Sequence, residues 1–196
     1  MACIGKISTS LAMPSGSPGA SDLGRPKSAF VLNASDIASY TVSELSGLAT
    51  ITRKASTVGY EIMTINNAVV VTVGLKSQDI IPGAYDVSIT FKSLSGHKNI
   101  KSKETPLGVV GDLGRAELIF AVDHGDGSYK VYGLGAPLVC TELSGDSSAS
   151  AYATYTYGVE DWQVGTTIHR ISKADYDALS TPAVAPEAPE APTPGA

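Results

Sequence analysis

The stretch LGRAELIFAVDHGDGSYKVYGLGAPLVCTEL, residues 113–143, decides the fold class. Residues 118–122 are an apolar run, and Asp123-His124-Gly125-Asp126-Gly127 is a turn cluster. Glycine accepts the positive φ that tight turns demand, so a short glycine-containing loop between two such runs predicts a β-hairpin. Past the turn, alternation places Tyr129 and Val131 on one side of a strand, with Lys130, Tyr132 and Leu134 on the other. The hairpin then runs straight into a third strand. Nothing in the stretch carries evident catalytic chemistry.

The same period of two recurs on both sides. Tyr85, Val87, Ile89 and Phe91 alternate with Asp86, Ser88, Thr90 and Lys92, the pattern of a strand with one face on a core. Upstream, residues 68–73 (AVVVTV) are a β-branched run behind the turn-prone Asn66-Asn67, and Pro82-Gly83 separates that run from the next strand. Downstream, residues 151–159 (AYATYTYGV) place Tyr155 and Tyr157 on one face and Tyr152, Thr154 and Thr156 on the other, after a turn at Gly145-Asp146-Ser147-Ser148. Helical signals are short. Ser172-Lys173-Ala174-Asp175 resembles a capping box opening a helix through Leu179. Ser35 or Asp36 caps a brief turn toward Tyr40, and residues 97–104 read as a polar helix or excursion ending before Pro106. Six to eight strands with one or two short flanking helices are expected, giving a mainly β chain folded as an antiparallel β-sandwich or barrel.

With 196 residues the chain suffices for one domain with a full core. Residues 1–28, rich in Ser, Gly, Pro and Ala, read as an N-terminal arm; residues 29–180 are the β domain; residues 181–196 (TPAVAPEAPEAPTPGA) are a disordered Pro/Ala/Glu tail. Charged residues make up 17% of the chain, below the usual share of about 25%, which suits a surface hidden in an assembly. A net charge of −5 argues against reading nucleic acid, which calls for a basic face. The two cysteines, Cys3 and Cys140, are far apart and match no metal-ligand spacing; two free thiols, with Cys140 packed, fit a reducing compartment. No stretch approaches the roughly 18 apolar residues that span a bilayer, and the N-terminus lacks a long apolar signal segment. Synthesis and retention in the cytoplasm, or release by lysis, is expected.

Each chemical motif has a plainer reading that outweighs it. His97, His124 and His169 are scattered, none with a second ligand at i, i+4. Asp123-His124 lacks a nucleophile elbow and sits in a loop where polar residues need no function, so a solvated turn is expected there. Gly111-Asp112-Leu113-Gly114-Arg115 precedes a strand, whereas phosphate cradles precede helices. Asp175 and Asp177, two apart on a helix, do not face each other. Asn33-Ala34-Ser35 matches the glycosylation triplet without a secretory signal. Tyr152, Tyr155 and Tyr157 are read as core or interface ahead of a ligand-stacking surface. No catalytic, cofactor-binding or metal-binding residue is expected, and the chain reads as a non-enzyme.

The order of these elements resembles the major tail tube protein of long-tailed bacteriophages. YDVSITFKSL is followed by the polar excursion SGHKNIKSKETPLGVV, then LGRAELIFAV, the turn DHGDG and SYKVYGLGAPLVCTEL. A Gly/Ser/Asp loop, AYATYTYGV and TTIHRISKADYDAL complete the order, so the resemblance covers roughly residues 60–180. It implies a sandwich with a helix at its side, closing typically as six copies into rings that stack into a tube. It further implies a virion protein of the tail, assembled in the host bacterial cytoplasm. Its partners would be itself, other tail proteins, and DNA that passes the lumen without specific binding, with no membrane involved. Under this reading the arm and residues 41–57 reach neighbouring subunits or rings and order only on assembly, and Asp and Glu dominate the lumen. The other readings are a different tail or neck component, such as a terminator or hub ring or the tube of a contractile injection system, and a carbohydrate- or cell-surface-binding β-sandwich.

Overall fold

The computed structural model describes residues 26–62, 69–75, 85–94, 112–145, 152–159 and 166–183. In chain order its strands are β1 (Ser28–Asn33), β2 (Ile37–Val42), β3 (Ala49–Arg53), β4 (Tyr60–Ile62), β5 (Val69–Leu75) and β6 (Tyr85–Leu94). Then come β7 (Leu118–Asp123), β8 (Tyr129–Tyr132), β9 (Val139–Gly145), β10 (Tyr152–Gly158), β11 (Ile168–Ile171) and the helix α1 (Lys173–Ala178). A five-stranded sheet runs β11-β8-β7-β1-β4, a four-stranded sheet runs β5-β6-β10-β9, and β2 and β3 form a separate hairpin. Every strand pairing is antiparallel. The chain is a mainly β protein built as an antiparallel sandwich with one short helix, as its periodicity predicts.

The central strand β7 explains why its sequence, LIFAVD, reads as a continuous apolar run. Leu118, Phe120 and Val122 belong to the core shared with the four-stranded sheet, while Ile119 and Ala121 belong to a second core on the opposite face. A strand covered on both sides has no polar face to alternate. The first core gathers Val87, Ile89 and Phe91 of β6 and Tyr155 and Tyr157 of β10, all with no exposed surface. At its centre the Phe91 ring stacks on Tyr155 and Tyr157, with centroids 5.4 and 5.8 Å away, and meets Phe120 at 5.9 Å. The second core seats Tyr176 and Leu179 from the α1 region and Ala49 of β3 against β1, β7 and β8. Tyr176 holds the helix down by packing its ring on Phe30 and Tyr129 and sharing a 2.8 Å hydrogen bond with the Ser28 hydroxyl.

The helix start matches the capping box. Ser172 accepts from the Asp175 backbone N–H at 3.1 Å, and its hydroxyl donates to the Asp175 carboxylate at 2.7 Å. Four expectations need correction. Leu134 does not share a face with Tyr132: it lies in the second core, because Gly133 and Gly135, each at φ 86°, end the strand and break the alternation. A Cβ at Gly133 would stand 3.1 Å from the Leu118 carbonyl oxygen, so that close approach also requires glycine. The turn near Ser35 is a 3₁₀ turn over Ala34–Asp36, and the residues toward Tyr40 are strand β2. There the amide of Asn33 donates to the buried Asp36 carboxylate at 2.9 Å, an arrangement that competes with helix propagation. Eleven strands appear among the described residues: β4 and β11 are short, β1 feeds both cores without a polar face, and the β2–β3 hairpin is mostly exposed. That hairpin is also ordered within the single chain, bonded strand to strand and bridged from Leu48 to Arg170 of β11. Ala49 is buried in the second core, with Ile37 and Ile51 packed against it.

The boundaries of the arm and tail lie close to bonded residues. Lys27 N–H donates to the Asp123 carbonyl at 2.9 Å and Ser28 is the first residue of β1. At the other end Ala183 accepts from the Ser56 N–H and donates to the Thr57 carbonyl, each at 2.9 Å. Truncation after Ala183 is therefore expected to leave the melting temperature unchanged. Truncation after Ser180 removes these bonds and an Arg53 contact to the Thr181 carbonyl, and is expected to cost about 1–2 kcal/mol, roughly 3–6 °C. Paired thermal melts of the two truncations check this. The expected helix or excursion at residues 97–104, the turns at Asn66-Asn67, Pro82-Gly83 and residues 146–148, and Cys3 lie outside the described residues.

Candidate functional site

The largest feature without a structural partner among the described residues is the four-stranded sheet. Its inner face is core; its outer face follows from the other parity of the same strands. Across β5, β6, β10 and β9 the pairing aligns Val70, Thr90, Thr156 and Glu142 in one row, and Thr72, Ser88 and Gly158 in the next. Lys92, Thr154 and Ser144 make a third row, and Gly74 beside Asp86 a fourth. The centre of this face is hydroxyl, not carboxylate: Thr90 and Thr156 share a 3.2 Å hydrogen bond across the strands. The Thr141 hydroxyl, at the β9 irregularity, donates to the Thr156 carbonyl at 3.2 Å. An acidic face does not appear here.

The edges of the sheet carry exposed apolar groups. Val70 and Val73 on β5 are 47% and 44% exposed, and Leu143 on β9 is 46% exposed. Among the described residues neither outer edge pairs with another strand. Because the sheet has four alternating strands, β5 and β9 run in opposite directions. A second concentration of exposed apolar side chains, Tyr40, Val42 and the fully exposed Leu45, lies on the β2–β3 hairpin.

The residues weighed for chemistry are not brought together. The imidazole of His124 lies 2.8 Å from the Tyr132 hydroxyl, in a turn that is half-buried at Asp123, His124 and Gly125 and exposed at Asp126 and Gly127. Asp123 and Asp126 are spent on the turn itself, accepting from the Gly125 N–H at 2.7 Å and the Ser128 N–H at 2.8 Å. His169 shares a 2.8 Å hydrogen bond with the Thr167 hydroxyl and packs near the Tyr40 ring. His97 lies outside the described residues. Asp112 and Arg115 approach within 3.8 Å at the surface, and Leu113 is buried with its carbonyl accepting from Tyr157 OH. Asp177 pairs with Lys173. Asn33 is buried. Tyr155 and Tyr157 are wholly buried, so neither stacks on a ligand, and the Tyr155 hydroxyl has no hydrogen-bond partner among the described residues. Cys140 is half-buried; its thiol donates to the Glu142 carbonyl at 3.5 Å, and burial pushes the thiol pKa up. No group of three His, Cys, Asp or Glu capable of holding a metal occurs among the described residues, and no described helix is long and apolar enough to cross a membrane.

The chain matches no family model, no curated protein and no solved structure. The hydroxyl face was available to sequence reading only as the polar half of two alternations, at Ser88 and Thr90 and at Thr154 and Thr156. Which strands lie side by side, and therefore that these halves merge, is set by pairing.

The electrostatics predict stability that falls at both ends of the pH scale. Burial, then Lys130, holds the His124 pKa down, with Asp126 and Asp123 opposing. A depressed imidazole contributes stability above its ordinary pKa of about 6.5 that is lost as pH falls through that value and below. Burial pushes the Tyr132 and Tyr155 hydroxyls up to about 12. Their contribution is complete below about pH 10 and is lost as pH rises toward 12. Melting temperature measured across pH should fall on both limbs, and His124→Gln should flatten the acid limb only.

Proposed function

We propose that the chain is a structural subunit that assembles through its four-stranded sheet into rings, and that the rings stack into a phage-type tail tube through which DNA passes. The observation that carries this reading is the pair of antiparallel sheet edges, β5 and β9, with exposed Val70, Val73 and Leu143. Unpaired edges are templates for another strand, and seven residues of β5 (VVVTVGL) hold neither charge nor proline to blunt one. Since the two edges run oppositely, β5 of one copy beside β9 of the next continues the antiparallel order. Such a contact is heterologous, the head-to-tail kind that forms rings where the rotation between copies closes and open filaments where it does not. The resemblance in the order of elements to tail tube proteins favours the same reading.

The test is negative-stain imaging and light scattering of the full chain beside Val70→Lys and Leu143→Lys. Both side chains are exposed, so the variants should fold with stability within about 0.5 kcal/mol of the parent while failing to form rings. Variants that assemble like the parent, or a parent that stays monomeric, would sink the reading. A β-sandwich that binds carbohydrate through Tyr152, Tyr155 and Tyr157 loses two of its three rings, since Tyr155 and Tyr157 are core; the Tyr152 side chain lies outside the described residues.

A further inference from the structure

Resting on the ring reading for which edges stay open, we infer that the β2–β3 hairpin is an edge guard: it covers the outer edge of β11, so that copies pair through the four-stranded sheet alone. Among the described residues the two larger sheets have four outer edges, at β5, β9, β4 and β11. Each edge is a row of backbone donors and acceptors on which another chain can add a strand. A chain that assembles in one way has to close the edges it does not use. β5 and β9 run seven residues each; β5 carries no charge and β9 carries one, Glu142. The β4 edge is three residues long with exposed Glu61 at its centre, and shortness and charge both blunt an edge. β11 (IHRI) is short too, and it is also covered.

The hairpin supplies that cover. β8 occupies one side of β11, so the bridge between Leu48 and Arg170 falls on the other, the side that would receive an added strand. The bridge is parallel, and β2 and β3 stay a sheet of their own, so the hairpin lies along the edge without lengthening the sheet. Two residues latch it. Ala49, next to Leu48, has no exposed surface and sits in the second core. Tyr40 belongs to neither core, yet its ring lies 6.0 Å from the His169 ring of β11. The Tyr40 hydroxyl fills the space beside Gly135, where a Cβ would stand 2.5 Å from that oxygen. His169 is itself held. The Thr167 hydroxyl spends its one hydrogen on the Leu134 carbonyl at 3.1 Å, so in the 2.8 Å contact with His169 it accepts from the imidazole Nε2–H. Because the guard is tethered to the edge it covers, it competes with a second chain at an effective concentration on the order of millimolar.

The inference is tested on the full chain with the hairpin lifted and with it locked. Tyr40→Ala with Ala49→Glu removes one latch and gives the other a carboxylate that only water satisfies, which lifts the hairpin. Leu48→Cys with Arg170→Cys, in a chain also carrying Cys3→Ser and Cys140→Ala, locks it once oxidised, since bridged partners stand about 5 Å apart at Cα and a disulfide spans that. Hydrogen exchange at residues 168–171, light scattering and negative-stain imaging are read beside the parent. The lifted variant should lose protection in β11 while β7 and β10 keep theirs. It should also gain irregular association in which residues 168–171 become protected again. The locked chain should form rings as the parent does. A lifted variant with β11 unprotected that associates no more than the parent overturns the inference, and so does one whose β11 stays as protected as in the parent. A locked chain that forms no rings where the parent does overturns it too, because assembly then requires the hairpin to leave β11. All three results leave the ring reading standing. A parent that forms no rings sinks the ring reading, and the guard is then decided by exchange and association of the lifted variant.

Discussion

Phe91→Ala should lower the stability of the chain by about 3–5 kcal/mol, the range for truncating a fully buried aromatic. Phe91 has no exposed surface and lies against three other aromatic rings, Tyr155, Tyr157 and Phe120. It joins β6 and β10 of one sheet to β7 of the other, so its removal opens a void at the seam of the sandwich. A domain of ordinary stability has about 5–15 kcal/mol in total, so the loss would leave a large part of the population unfolded on modest heating. Urea titration followed by fluorescence reads the effect. Thr90→Ala, one residue away on the outer face, should stay within about 0.5 kcal/mol of the parent. Equal effects at the two positions would contradict the assignment of inner and outer faces.

Arg53→Ala should cost about 2–3 kcal/mol, a large effect for a side chain outside either core. One guanidinium nitrogen donates to the Thr57 and Leu179 carbonyls at 3.0 and 3.2 Å, and the other to Ala178 and Thr181 at 2.9 and 3.0 Å. The last carbonyls of a helix lack partners within it and carry its negative end, which favours a cation there. Arg53 thus pins the α1 end to β3 and to the segment leading to β4, and the Gly59 N–H adds a 2.8 Å bond to Leu179. A planar fork reaches four acceptors that a single ammonium does not, so Arg53→Lys should recover only part of the loss. Denaturation midpoints of the three proteins rank them, and hydrogen exchange in α1 should rise most in Arg53→Ala. An alanine variant as stable as the parent would show that helix packing through Tyr176 and Leu179 suffices alone.

The strands legible in advance were those with one buried face. Val87, Ile89 and Phe91 alternate with polar neighbours, so their inward side is written in the period, as it is for Tyr155 and Tyr157. The β7–β8 turn and the Ser172 cap were equally local, since each depends on backbone geometry within a few residues. The short strands were not legible. β4 and β11 have too few residues to display a period, β1 is an apolar run that feeds both cores, and their identity as strands comes from partners distant in sequence, such as β1 against β7. The same holds for the β2–β3 hairpin, most of whose side chains stay exposed and whose inner side is set where Ile37, Ala49 and Ile51 reach the second core.

Residue types and their period alone determined that this chain is an antiparallel β protein, because a two-residue repeat specifies which side chains seek a core. Only the tertiary structure decided which sheet each strand joins. After Tyr132 the chain leaves the five-stranded sheet, and β9 joins the other, although the sequence runs on through both. The reason is that positive φ at Gly133 and Gly135 redirects the backbone, while pairing with β10 is a long-range choice that no local period encodes. That choice also makes the candidate site. Ser88 and Thr90 lie far in sequence from Thr154 and Thr156, and they form one hydroxyl face because Phe91 and Tyr155 on the other side must share a core.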